Sequence, residues 1–499
     1  MTSTGRNTYP QAIGIALAVA CALSNSNLPA MASEVLVYSV KETVVQAKNE
    51  GAPAGNEVKA AAQSKVTTPA KTAAQSKTAA QSKNNDTKLQ PAPDPQTQTK
   101  TTQSDQTINL GDDYFSIVAD KVETIYDFDK KRVLRLDLDK KEYTDTALHS
   151  TVFFRFYELQ NRYVLGDILS KSGAAENFFD PFETQSLFSM ILPNDEHKAD
   201  IQEVDSQGSL QFKHNGKTVV SYKSSLADIG TNAAGYRRLL TNAFSIHPQI
   251  RSALLARKTF PQNLMVNYAD GGFKQCTGDY SLKSSRSDSS GSMPELSNYR
   301  LVRNPELSDI YKALDKLGPE AKIPNKADVM TLARQQFGKG KTLDALLTVL
   351  EYGLMTSDGC LPEIKELSKT ANEDTQCKLF FQNISPGSKD EAVAALKALD
   401  SIDRSTLSKG HVIDIMRANI YEQMEDTGKS ISILKDVLSK HPLIVGAYHD
   451  LGQSYLRKWD PSTGWDCFRI GKKLAPTHTQ MAEISKMEKG LEIKFPDFF

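Results

Sequence analysis

Apolar residues are unevenly spaced along the chain, and the spacing divides it into regions. Between Gly51 and Thr107 the only large apolar residues are Val58, Val66 and Leu89, and no aromatic occurs. Such a stretch cannot bury enough surface to offset the entropy of ordering it. From Ile108 the pattern takes the period of strands. Tyr126 and Phe128 alternate with Asp127 and Asp129, then Leu134, Leu136 and Leu138 alternate with Arg135 and Asp137, with a turn at 129–132 between the runs. Leu148, Val152, Phe156, Leu159 and Tyr163 then recur at helical spacing, which predicts a helix over 146–170. Leu210-x-Phe212, Asn215-Gly216 and Val220-x-Tyr222 predict a hairpin closed by a type I′ turn. Helices are expected at 236–244 and 250–255, split by Pro248, and strands at 262–269 and 275–283 around Gly271-Gly272.

Beyond a serine-rich stretch, 284–294, every periodic segment is helical. Helical pairs are predicted at 327–337 with 343–352 and at 375–383 with 391–399, broken at Gly338-Lys-Gly340 and Pro386-Gly387. Two units of equal length follow, 411–444 and 445–478, and then a last helix over 480–493. The second unit reads Tyr448-x-x-Leu451-Gly452-x-x-Tyr455, Gly464-x-x-x-Phe468, Pro476. Tyr421, Ser430, Leu434 and Pro442 stand one unit length before Tyr455, Gly464, Phe468 and Pro476, respectively. These spacings resemble the tetratricopeptide repeat, a helix-turn-helix unit that stacks on its neighbours to bury its apolar face.

The fold class expected is therefore multidomain α+β: a β-rich mixed domain at 108–283, a Ser-rich linker at 284–297 and a helical repeat solenoid at 298–499. A signal peptide at 1–32 and a disordered low-complexity linker at 33–107 precede them.

The tetratricopeptide resemblance implies that the first helix of each unit lines a groove for a peptide or helix. On the two first helices, Ile415, Asn419 and Glu422 and their equivalents His449, Gln453 and Leu456 each share one face. That set is the expected protein-binding groove. Asp414 and Arg417 depart from the pattern, standing where the family has a large aromatic and a leucine. Over 122–144, the run Tyr126-Asp-Phe-Asp-Lys-Lys-Arg-Val-Leu, ending at Lys141-Glu-Tyr-Thr, resembles strand pairs of periplasmic half-barrels that carry lipoproteins or other acyl ligands. An ordinary antiparallel sheet with one wet face is the alternative.

Composition narrows function by exclusion. Net charge is zero and the pI near 7.1, so no nucleic-acid partner is expected. Arg6, the uncharged run 12–23 and Ala30-Met31-Ala32 fit a secretory signal cleaved after Ala32. Leu17-Ala-Val-Ala-Cys21 also approximates a lipoprotein signal, which would anchor the chain in a membrane through Cys21. Either reading places the mature protein in the periplasm or outside the cell.

The evenly spaced lysines 59, 65, 71, 77 and 83 accompany a repeated Thr-Ala-Ala-Gln-Ser-Lys hexad, and at helical pitch they would share no face. A tether is expected there. Cys276, Cys360, Cys377 and Cys467 form no CxxC pair, and Cys360–Cys377 could be a disulfide or two buried thiols. Gly340-Lys341-Thr342 lacks the upstream glycine of a phosphate loop and reads as a turn. Asp426-Thr427-Gly428 has no second copy to form an aspartic dyad. Asp127-x-Asp129 and Asp137-x-Asp139 are each followed by lysines and read as solvated faces, not calcium ligands. The eight histidines show no metal-ligand spacing.

No catalytic, cofactor or metal residues are thus expected, and the predicted role is a non-enzymatic exported adaptor. Its partner would be a protein or peptide of the cell envelope. The alternative is a periplasmic carrier of an apolar ligand in the β-rich domain, with the repeats as docking arm.

Overall fold

The computed structural model describes residues 33–47, 97–172, 180–193, 195, 198–206, 208–270, 274–288, 293–318, 322–358, 365, 371 and 373–499. The signal peptide at 1–32 lies outside the described residues, as does Cys360, one partner of the possible disulfide. Cys377 and Cys467 are buried in helical packing.

The β-rich region is one sheet whose strands are β1 (Ser33–Ala47), β2 (Thr97–Leu110), β3 (Tyr114–Ala119), β4 (Val122–Asp127), β5 (Arg132–Asp137), β6 (Glu142–Ala147), β7 (Gln202–Ser206), β8 (Ser209–His214), β9 (Lys217–Asp228), β10 (Thr259–Asp270), β11 (Lys274–Asp288) and β12 (Arg300–Leu301). Their spatial order is β12-β6-β5-β4-β3-β2-β1-β11-β10-β9-β8-β7. Every neighbouring pair is antiparallel except β12 and β6.

Two sequence boundaries are corrected by the sheet. The linker expected over 33–107 contains β1 and most of β2, which lie side by side in the middle of the sheet, while 48–96 lies outside the described residues. Local composition concealed β2, because Thr97–Thr107 is polar, yet its pairing with β1 needs only backbone groups. The stretch read as a Ser-rich linker from 284 continues β11 through Asp288, against Ser33–Val37 of β1.

One face of the sheet carries Leu36, Tyr38, Val40, Ile108, Phe115, Tyr222, Leu264 and Val266, all buried. Four helices cover it: α1 (Leu148–Lys171), α2 (Pro181–Phe188), α3 (Ala233–Ala243) and α4 (Pro248–Leu255), the last with Pro248 at its first position. The opposite face is polar over its centre, where Thr43 bonds Thr101 and Gln103 bonds Ser39. Towards β6 that face turns apolar. Ile125, Leu134 and Leu136 pack there with Tyr143, Met293, Leu296 and Tyr299, so the chain leaving β11 wraps this edge before adding β12.

The Asp-x-Asp pairs hold turns, and the solvated reading fails for Asp127, which is 3% exposed. Asp127 accepts the Lys130 backbone N–H at 3.0 Å and the Arg132 Nε–H at 2.8 Å. Asp137 accepts the Lys140 N–H at 2.9 Å in the same way, one hairpin further on. Asn215 and Gly216 both have positive φ, the geometry of the expected type I′ turn.

The rest of the described chain is helical: α5 (Ser308–Leu317), α6 (Lys326–Gly338), α7 (Thr342–Thr356), α8 (Thr375–Asn383), α9 (Lys389–Asp400), α10 (His411–Gln423), α11 (Thr427–Lys440), α12 (Val445–Arg457), α13 (Pro461–Leu474) and α14 (Thr479–Lys494). Helices α6 with α7, α10 with α11, and α12 with α13 form adjacent antiparallel pairs. Gly340 has positive φ in the turn before α7, and Asp426 caps α11 by accepting the Lys429 N–H.

The sheet and the helices share one core. Trp465 and Phe468 of α13 and Ile484 and Leu491 of α14 are buried in the same cluster as Val152 and Leu159 of α1. The Trp465 ring lies 5.0 Å from Phe153, and its indole N–H donates to Glu488 at 3.2 Å. Residues 495–499 continue onto the β-rich side, where Asp497 pairs with Arg251 at 2.8 Å and Phe498 lies under the Arg155 guanidinium. Each fully buried aromatic in such a seam contributes on the order of 2 kcal/mol, so the last helical pair is anchored to the sheet domain through these rings.

Candidate functional site

The first helices of the two repeat units, α10 and α12, lie side by side and leave a polar cleft of about 280 Å³. Asn419, Glu422, His449 and Gln453 line it, joined by Gln423 and Arg457. Glu422 is committed to holding the helices together, since the Ser454 hydroxyl and the Arg457 guanidinium both donate to its carboxylate. His449 bonds the neighbouring Asp450 at 3.0 Å. The side-chain amides of Asn419 and Gln453, at equivalent positions of the two units, make no hydrogen bond among the described residues. Each offers a donor pair and an acceptor, the set that an extended peptide backbone matches.

Two residues expected in this groove are elsewhere. Ile415 is fully buried among Leu434, Leu438 and Tyr448, because α10 turns that position into the seam with α11 and α12. Leu456 packs against the core shared with the sheet, 3.0 Å from where a Gly464 Cβ would sit. The helical wheel gave both residues the right helix and the wrong surroundings, since neighbouring helices cover more of each first helix than an isolated hairpin would.

A second recess, about 610 Å³, opens where the sheet edge meets the helices. Leu301, Tyr311, Leu314, Ile470 and Leu474 form its apolar wall, and charged groups form its floor. There Asp145 accepts from Arg132 at 3.0 Å and from Arg469 at 2.7 Å, and Asn304 donates to Asp466 at 3.1 Å. Burial pushes the Asp466 carboxyl up to about 6; the Asn304 amide and Arg469 oppose the rise, and Asp145 adds to it. Sequence reasoning missed this recess, because its residues come from four separated segments.

A third surface was also missed. Helix α1 buries Val152 and Leu159, yet exposes Phe154, Tyr157, Val164, Leu165 and Ile168. The surplus of apolar residues around the whole helix was the available signal. None of the described helices is long and apolar enough to cross a membrane.

No family model matches the chain, and no curated protein matches it. Among solved structures it is similar to the one described as "Lipid-protein interactions in lipovitellin", at 10% identity and a TM-score of 0.17. That alignment covers 89% of this chain, which spans 53% of the length of the other. A likeness at that level specifies neither fold nor site.

Proposed function

We propose that the chain is a non-enzymatic, exported adaptor that holds a peptide segment of another envelope protein against the first helices of its tetratricopeptide-like repeats. The observation that carries this reading is the cleft between α10 and α12, where the unengaged amides of Asn419 and Gln453 stand one repeat apart. The resemblance of 411–478 to the repeat family and the export signal near the start of the chain support it. Panning a random-peptide display library on the purified chain tests it. Enriched peptides should bind the N419A/Q453A double variant at least tenfold more weakly. Peptides that bind both proteins equally, or no enrichment at all, would remove the cleft from consideration.

A second reading has its own observation. The apolar face of the sheet is filled by α1 to α4, while the recess of about 610 Å³ at the sheet edge has an apolar wall and a volume typical of small-ligand sites. A carrier function would therefore use this junction. Native mass spectrometry of the intact chain should then show a bound small molecule that Ile470→Trp displaces. A consistently empty protein counts against this reading.

A further inference from the structure

Three side chains far apart in sequence meet at the centre of the helical stack. Glu351 comes from α7, His411 from the first position of α10, and His441 directly follows α11. Each presents a ligand atom within 4.8 Å of the other two. Glu351 is only 6% exposed. Its Oε1 lies 2.6 Å from His411 Nε2, and its Oε2 lies 2.6 Å from Lys409 Nζ. The two imidazoles stack face to face, with centroids 3.6 Å apart and planes 18° from parallel.

We propose that Glu351, His411 and His441 form a binding site for a divalent transition-metal ion, with zinc the ion best suited to the donor set. Two imidazole nitrogens and one carboxylate oxygen are the three-ligand pattern that zinc accepts while keeping a fourth position for water or another ligand. Magnesium and calcium need more oxygen donors than the cluster holds. Tetrahedral ligands about 2.0–2.2 Å from zinc lie roughly 3.3 Å from one another, between the 2.6 Å of the Glu351–His411 pair and the 4.8 Å within which all three ligand atoms fall.

Two adjustments convert the cluster into a site. Parallel stacked rings cannot aim both lone pairs at one point, so His441 turns out of the stack. The His411–Glu351 hydrogen bond is replaced by the metal, and the imidazole nitrogen gives up its proton. Lys409 stays on the other carboxylate oxygen, where it orients Glu351 but also repels the incoming cation. A cleft of about 160 Å³ lined by Glu351, Thr348 and Lys409 opens beside the carboxylate. Bound metal would then tie α7 to the pair α10 and α11, so that the site braces the repeat that carries Asn419.

The test uses tag-free full-length protein stripped with a chelator and titrated with zinc in a calorimeter, with magnesium as the control cation. One equivalent of zinc should bind at micromolar affinity or tighter and raise the melting temperature, and magnesium should not. Cobalt should give the visible absorption of a tetrahedral site. His441→Ala and, independently, Glu351→Gln should each weaken zinc at least tenfold and abolish the cobalt band. Lys409→Met should tighten binding by removing the competing charge. Absence of saturable zinc binding, or binding that both His441→Ala and Glu351→Gln leave unchanged, overturns the proposal.

Discussion

The two repeat units solve one packing problem with different residues. In the second, Gly452 of α12 faces Gly464 and Phe468 of α13, and a Cβ added at Gly452 would sit 2.3 Å from the Phe468 ring. In the first, the equivalent positions are Ala418, Ser430 and Leu434, all fully buried. Smaller residues under a larger ring and larger residues under a smaller chain fill similar space. Both seams are closed in this way with different side chains.

Two other equivalent positions diverge further. Where the second unit has Tyr448 and Leu451 in the core, the first has Asp414 and Arg417. Arg417 pairs with Asp414 and with Asp400 of the preceding pair, both at 3.0 Å, and Arg404 joins Asp414 at 2.6 Å. At that point the first unit meets its upstream neighbour through ion pairs. The second unit instead turns Trp465 and Phe468 to the sheet.

The strongest way to break the parallel is Gly452→Ala. It should destabilise the chain by about 2–3 kcal/mol, because the ring above has no room, whereas Ala418→Gly should cost about 1 kcal/mol. Adding Phe468→Leu to Gly452→Ala recreates the first unit's solution and should recover most of the loss. Denaturant midpoints of the single and double variants would decide this, and purely additive losses would refute the compensation.

A smaller effect separates Asp466 from its exposed equivalent Ser432. The folded pKa of Asp466, about 6, lies above the ordinary carboxylate value, so the native state binds this proton more tightly than the unfolded chain. Its contribution is fully present below about pH 4 and is lost as pH rises through about 6. Asp466→Asn should accordingly stabilise the protein by about 1–2 kcal/mol at pH 8 and by nothing near pH 4. Melting temperatures across that window check the sign.

The smallest effect is expected at the ion pairs of the first unit. Arg417→Leu should change stability by less than about 1 kcal/mol, with the difference shrinking in high salt, since Asp400 is half exposed. A loss comparable to that of Gly452→Ala would show that these charges carry packing as well.

The α+β organisation was legible because it rests on local periodicity. Phe212, Asn215-Gly216 and Tyr222 specify a hairpin within one short segment, and the matched spacing of Tyr421 and Tyr455 in their units sets the register of two helical hairpins. The candidate site was partly legible for the same reason. Asn419, Glu422, His449 and Gln453 share a cleft as their helical positions imply. Ile415 and Leu456 do not, because what covers a helix face depends on neighbours that a single wheel does not contain.

By itself the sequence determined the hairpins around 129–132 and Asn215-Gly216 and the helical pairs beyond 326, since those follow from interactions among residues a few places apart. Only the tertiary structure decided that β1 pairs with β11, so that Ser33 lies beside Asp288. It likewise decided that α14 and the residues after it seal the sheet domain, and that Glu351, His411 and His441 meet. Such contacts depend on how packed elements divide the buried volume among themselves, and no spacing along the chain records that division.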